Sequence, residues 1–174
     1  MENMQNNHHT GHASGHGAHN SSHASAMYKR FAIMAVVMFG AMYFLMYAMI
    51  DGWQNLVLNI NNLYMTLLMT SAMLLIELVI MKVMYVNRKA NWLIAIVSVA
   101  VGIFSWFGIR EQINVGDKQF AKGMIPHHAA AILMSEKAHL TDPELIELQK
   151  NILKTQAEEI ELMKRKLKEF EESK

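Results

Sequence analysis

The sequence predicts an all-α membrane protein in which three transmembrane helices precede an extracytoplasmic helical hairpin. Of its 16 Lys and Arg and 15 Asp and Glu residues, 22 lie in residues 111–174 and only five lie in residues 31–109. A single soluble domain does not separate its charges in this way. We therefore expect three parts: a His-rich tail over 1–28, a transmembrane region over 29–110, and a helical domain over 111–174.

Three apolar runs define the transmembrane region, over about 31–50, 63–84 and 92–109. The hydrocarbon core of a bilayer needs about 20 apolar residues per helix, so each run is long enough to span. The tail over 1–28 is rich in Asn, Gly, Ser and His and has few large apolar side chains, which favours disorder.

Positively charged residues beside the spans set the expected orientation. Lys29 and Arg30 precede the first span, and three more cations surround the end of the second, whereas the connection over 51–62 has no Lys or Arg. The positive-inside rule then predicts a multi-pass cell-membrane protein with a cytoplasmic N-terminus and an extracytoplasmic C-terminal domain.

Composition excludes several kinds of chemistry. The chain has no Cys, which excludes disulfides, thiolate zinc sites and Cys nucleophiles. A net charge of +1 argues against a nucleic-acid partner bound through bulk basic charge. We find no nucleophile–base pair, phosphate loop or paired carboxylates, and we expect no enzymatic activity.

Residues 117–172 are predicted to form two helices. Pro126 fits a first helical turn or a kink in a helix that continues from the third span. Thr141-Asp142-Pro143-Glu144 is a helix start with a capping residue and an early Pro. The second helix carries an apolar stripe at steps of three and four. Because such a hairpin has a thin core, we expect it to dimerise or to pack on the membrane spans.

The hairpin carries six candidate metal ligands: Met124, His127, His128, Met134, His139 and Met163. On a helix, Met124, His127 and Met134 fall within about 80° of one another. Thioether sulfur is a soft ligand that selects Cu(I) and Ag(I), and imidazole suits copper and zinc. A copper or silver site completed by Met163 is the hypothesis; the alternative is that these Met residues only fill the core.

The same residues carry a family resemblance. The ordered motifs are Phe120-x3-Met124-Ile125-Pro126-His127-His128-x2-Ala131-Ile132-x-Met134, then Asp142-Pro143-Glu144, then Gln156-x2-Glu159-Ile160-x2-Met163. Over about residues 117–168 the chain resembles the domain of unknown function 305 family.

The resemblance implies a ferritin-like helical domain of the kind found in CopM-type extracytoplasmic proteins, which bind copper or silver in metal resistance. It also implies metal-binding roles for five residues: Met124, His127, His128, Met134 and Met163. Some members have an acidic residue where this chain has Ala130, so any role of that carboxylate is absent here. Many relatives carry two such hairpins, so a second copy is expected to complete this one.

A rival hypothesis is an iron site. Glu136-x-x-His139 matches the pair that di-iron bundles take from each of two helices, and Glu144 or Glu147 would supply further carboxylates. The pair lies beside the turn of the hairpin, and such matches are frequent by chance on charged helices. Iron and zinc therefore rank behind copper and silver.

Two methionine stripes run along the first two spans. Met34, Met38, Met42 and Met46 recur every four residues, as do Met65, Met69 and Met73, with Glu77 at the next step. If the stripes face each other, they form a transmembrane path for Cu(I). The predicted path consists of Met42, Met46, Met69, Met73 and Glu77. The alternative is that Met packs adaptably between helices.

The N-terminal tail offers a third set of ligands, His9, His12, His16, His19 and His23. Their spacing of three and four would let a metal draw them onto one helical face, which predicts weak metal capture; the alternative is a polar low-complexity tail.

These observations predict a membrane-anchored copper- or silver-binding protein for resistance, sequestration or hand-off. Cu(I) transport through the Met stripes and a metal-free helical dimerisation module are the alternatives. Expected partners are membrane lipid, the metal ion, a second copy in a homodimer or higher oligomer, and a copper-export or chaperone protein.

Overall fold

The protein is all helical in a computed structural model that describes residues 16–173, with side chains from residue 25 onward. Five helices follow one another: α1 (His16–Leu45), α2 (Ile60–Ile80), α3 (Arg88–Arg110), α4 (Asp117–Lys137) and α5 (Pro143–Glu172). Two short 3₁₀ turns, Met46–Met49 and Trp53–Asn55, lie between α1 and α2. The described residues contain no strand, which confirms the all-α prediction.

Three of the helices are long and apolar enough to cross a membrane. The spans are Ser25–Met49, Ile60–Ile80 and Arg88–Arg110. They leave large apolar side chains uncovered, among them Val36 and Val79. Such a surface is stable in lipid and not in water. The chain is therefore a membrane protein, with spans close to the predicted ones.

The first helix begins earlier than the apolar run that predicts it. The backbone is already helical at His16, within the segment that composition assigns to a disordered tail. A helix that has been nucleated elsewhere extends at low cost through residues of modest propensity, and the apolar span supplies that nucleus.

Small and hydroxyl side chains bring α2 and α3 together. Ser71, Ser98 and Ser105 are buried in this pair of helices. A Cβ added at Gly102 would lie 2.8 Å from Oγ of Ser71, so the helices approach as closely as glycine permits. At the other side of the bundle, the Tyr28 hydroxyl donates to Oδ1 of Asn91 at 2.7 Å and ties α1 to α3.

The two C-terminal helices form an antiparallel hairpin. Oδ1 of Asp142 accepts hydrogen bonds from the backbone N–H groups of Glu144 and Leu145, and Pro143 is the first residue of α5. This confirms the helix start read from the sequence. Pro126, in contrast, lies inside α4 rather than in its first turn.

The hairpin packs on the connection between α1 and α2. Its buried core is formed by Ile125, Ala129, Ile132 and Ile160, and Ile50 and Val57 of the connection pack against that core. Oε1 of Gln119 accepts from the backbone N–H of Ile60 at 3.3 Å. The Tyr64 hydroxyl donates to the Ile113 carbonyl at 3.0 Å. The hairpin is thus built onto the end of the membrane helices that carries the connection between α1 and α2, rather than tethered beside them.

Candidate metal-binding site

His128 lies in the contact between α4 and α5. Its Nε2 is 2.8 Å from Oε2 of Glu159, and its Nδ1 is 2.9 Å from the carbonyl oxygen of Met124. The side chain is only 12% exposed. Both ring nitrogens therefore lie at hydrogen-bond distance from an oxygen atom, and neither is free to face a metal ion in this arrangement. In this arrangement His128 holds the hairpin together.

The register of the hairpin is fixed by contacts along its length. Lys118 lies 3.5 Å from Glu171 near one end, and His128 meets Glu159 nearer the middle. Counting along both helices between these contacts places Met163 at the level of Met124. Met163 packs against the hairpin core, and Met124 is half-buried. One thioether from each helix is therefore available at the same level.

His127 complements this pair as the accessible imidazole. It is exposed, and its ring nitrogens make no hydrogen bond within the part of the chain that the structure describes. It lies three residues after Met124, which is one turn of α4 and about 4.5 Å along the helix axis. The two side chains can therefore reach one ion. With Met163 at the same level, two thioether sulfurs and one imidazole nitrogen are the candidate ligands of the hairpin.

Met134 and His139 lie elsewhere. Ten residues of continuous helix separate Met134 from Met124, about 15 Å along the axis of α4, so the two thioethers of one chain cannot bind the same ion. Met134 is 52% exposed and lines an open apolar groove of about 260 Å³ with Leu145, Leu148 and Ile152. His139 is exposed in the connection after α4.

The helical geometry behind the iron hypothesis is absent. Helix α4 ends at Lys137, so Glu136 and His139 do not occupy one helical face. Within residues 25–173, no group of three or more His, Asp or Glu side chains is arranged to hold a metal ion. Within these residues, a single chain therefore does not assemble a carboxylate-rich site.

The contacts between the first two spans bring thioethers of α1 against hydroxyls of α2, and the Cu(I) path through the Met stripes stays a prediction. Oγ1 of Thr66 lies 3.5 Å from the Met46 sulfur, and Oγ1 of Thr70 lies 4.0 Å from the Met42 sulfur. Met69 is exposed on the outer surface of α2.

The remaining members of the predicted path are only partly covered. Met73 is half-buried on α2, and Glu77 lies one turn further along the same helix. Oε1 of Glu77 accepts a hydrogen bond from the Tyr85 hydroxyl at 3.2 Å. Burial raises the pKa of Tyr85, and the hydrogen bond and negative charge of Glu77 raise it further. Glu77 therefore has a structural partner at this end of the bundle.

The histidines of the tail divide between two regions. His9 and His12 lie outside the described residues. His16, His19 and His23 belong to the first turns of α1, where the backbone alone is described.

Comparison with known proteins places the hairpin in a family. The model of the domain of unknown function family DUF305 matches residues 110–173, from the last residue of α3 through α5. A similar protein is the uncharacterized protein L153 of Acanthamoeba polyphaga mimivirus, 33% identical over 117 residues, or 64% of this chain and 75% of that protein. The chain belongs to the DUF305 family. No solved structure matches it.

The DUF305 segment coincides with the hairpin, and the likeness to the viral protein extends beyond it. A continuous match over 64% of the chain is longer than residues 110–173 and necessarily includes much of α2 and α3. The resemblance read from the motifs is thereby confirmed. Glu159 is the residue whose role those motifs leave unassigned: its place in Gln156-x2-Glu159 is visible in the sequence, but its pairing with His128 needs the hairpin register.

Proposed function

We propose that this membrane protein binds a soft monovalent metal ion, Cu(I) or Ag(I), at the hairpin, for sequestration, resistance or hand-off and without catalysis. The proposal is supported by the hairpin register: counted from the Lys118–Glu171 and His128–Glu159 contacts, Met124 and Met163 lie at one level, with exposed His127 one turn away. Two thioethers and an imidazole form a donor set that favours Cu(I) over harder ions. His128, held by Glu159, positions α4 against α5.

The orientation of the chain is part of the proposal. The cations at the N-terminal end of the bundle favour a cytoplasmic N-terminus, and the hairpin would then bind metal on the extracytoplasmic side. Ions arriving from outside would meet the hairpin first, where a copper-export or chaperone partner could load or unload it.

The test is an anaerobic Cu(I) competition titration of the full-length protein in detergent. The full chain is needed because Ile50 and Val57 complete the hairpin core. We expect the Met124→Leu, Met163→Leu double variant to lose at least about tenfold in affinity, which corresponds to about 1.4 kcal/mol. Met134→Leu makes the same chemical change outside the proposed site and should bind like the wild type. Equal affinity in all three proteins would contradict the proposal.

A second copy of the chain is the proposed partner of the hairpin. Exposed Leu145 and Leu148 line the same open groove as Met134, and burying them against another hairpin would remove apolar surface from water. Light scattering on the detergent-solubilised protein should give a dimer mass for the wild type and a monomer mass for Leu148→Glu. A wild-type monomer would contradict this part of the proposal.

Metal passage along α1 and α2 is a second candidate function. It is favoured by the column in which the Met42 and Met46 thioethers meet the Thr70 and Thr66 hydroxyls inside the membrane. In vesicles loaded with a Cu(I) indicator, Met42→Leu with Met46→Leu should slow uptake, whereas Met69→Leu on the outer surface should not. Equal uptake by the wild type and the double variant would remove this candidate.

A further inference from the structure

A groove at the N-terminal end of the membrane bundle has a polar mouth and an apolar floor. It lies between α2 and α3, has a volume of about 440 Å³, and is lined by Leu78, Val79, Arg88, Asn91, Trp92 and Ala95. Arg88 is the first residue of α3, and Ala95 lies seven residues further on, about 10 Å deeper along the helix. The groove therefore runs from the helix end into the apolar span.

Two hydrogen-bond donors at the mouth have no partner within the described residues. Arg88 is exposed and forms no ion pair there, and Trp92 is 71% exposed at the level where indole rings meet the membrane interface. Asn91 is already engaged: its Nδ2 donates to the Tyr85 carbonyl, and its Oδ1 accepts from Tyr28. The guanidinium and the indole N–H are thus the groups left to contact a ligand.

The charged side chains around the groove favour a negatively charged ligand. Besides Arg88, four cations lie at the same end of the bundle, Lys29, Arg30, Lys82 and Lys89. Among the residues that the structure describes, the acidic side chain nearest to this end is Glu77, which accepts a hydrogen bond from the Tyr85 hydroxyl. An anion at the mouth is favoured by all five cations, and the guanidinium can donate two parallel hydrogen bonds to a phosphate.

We propose that this groove binds an anionic phospholipid of the leaflet on the N-terminal side. The phosphodiester accepts hydrogen bonds from Arg88, and Trp92 covers the interfacial part of the lipid. One acyl chain lies along Leu78, Val79 and Ala95. A free phosphate would satisfy the mouth but would leave the apolar floor uncovered, so the shape of the groove favours a lipid. The proposal does not depend on the metal site.

The test uses Trp92 as the only tryptophan, after Trp53→Phe and Trp106→Phe, because the chain has three Trp residues. The full-length protein is reconstituted in phosphatidylcholine vesicles that contain equal mole fractions of brominated phosphatidylglycerol or brominated phosphatidylcholine. Bromine quenches tryptophan emission at short range. We expect phosphatidylglycerol to be preferred by about fivefold, as one cationic contact near the surface provides.

Matched variants distinguish a specific lipid site at Arg88 from general attraction of anionic lipid to the positively charged end of the bundle. Arg88→Gln should abolish the preference, whereas Lys89→Gln removes the same charge from the neighbouring residue, outside the groove lining, and should keep most of it. Arg88→Lys keeps the charge and should retain a preference, which guards against a folding defect in Arg88→Gln. Equal quenching by both lipids, equal losses in Arg88→Gln and Lys89→Gln, or displacement by millimolar inorganic phosphate would each overturn the proposal.

Discussion

Tyr64 of α2 lies directly against Gly108 of α3. A Cβ added at Gly108 would come within 3.0 Å of three carbons of the Tyr64 ring. The contact fixes the rotation of α2 against α3 and so decides which residues of α2 face α1 and which face lipid.

Gly108→Val should therefore destabilise the membrane bundle. The added methyl groups overlap the Tyr64 ring, and overpacking of this kind costs about 1–3 kcal/mol. Thermal unfolding in detergent would measure the effect. The control is Gly40→Val, because a Cβ at Gly40 meets nothing within 4 Å. Equal stability of the two variants would show that the α2–α3 contact is looser than described.

Glu159→Gln should loosen the hairpin. It weakens the contact with Nε2 of His128, and because Glu159 is 46% exposed, we expect a loss of only about 0.5–1 kcal/mol. Amide hydrogen exchange in α4 and α5 should then rise by about two- to fivefold. The neighbouring Glu158→Gln, at an exposed residue, should leave exchange unchanged. If both variants exchange alike, the His128–Glu159 pair does not hold the hairpin.

Val57→Ala should loosen the same hairpin from a distance in sequence. Val57 is partly buried against the core around Ile125, and removing its partly buried methyl groups costs about 1 kcal/mol. Exchange of the amides over 125–132 should rise by about fivefold. Leu58→Ala, at a residue that is 55% exposed, is the control. An unchanged exchange rate in Val57→Ala would mean that the hairpin is independent of the connection.

Deprotonation of Tyr85 should make the folded protein less stable at alkaline pH. Its pKa is raised by burial and by Glu77, so the folded state holds the phenolic proton more tightly than the unfolded chain does. This contribution to stability is complete below the unfolded pKa and is lost as the pH rises through the folded pKa.

Unfolding midpoints between about pH 8 and about pH 11.5 would measure the alkaline effect. Tyr85→Phe should flatten the alkaline decline, and Glu77→Gln should make the decline smaller than in the wild type, because it brings the folded pKa of Tyr85 closer to the unfolded value. A decline of the same shape in wild type and Tyr85→Phe would contradict the assignment to Tyr85.

The membrane spans and the start of α5 could be predicted from the sequence because each depends on local chemistry. Apolar length alone identifies the spans, and Asp142 with Pro143 marks a helix start wherever the chain goes next. The docking of the hairpin could not be predicted in the same way. Ile50 and Val57 lie in a connection without helical periodicity, so no pattern indicates what they cover.

The candidate ligands of the hairpin could be read from the sequence, but which of them lie close together depends on helix geometry. An angular comparison places Met134 on one face with Met124 but ignores the rise of the helix, which separates them by about 15 Å. The orientation of the Met stripes depends on how α2 is rotated. Contacts at Gly102 and Gly108 set that rotation and leave Met69 outside, and such contacts involve residues far apart in the sequence.

Copper X-ray absorption of the Cu(I)-loaded, full-length protein tests the central claim most directly. We predict two sulfur ligands and one imidazole nitrogen in the wild type, and a single sulfur in Met163→Leu with the nitrogen retained. Met134→Leu should give the wild-type spectrum. A sulfur count that Met163→Leu leaves unchanged, or a coordination shell of nitrogen and oxygen only, would contradict a soft-metal site built from Met124, His127 and Met163.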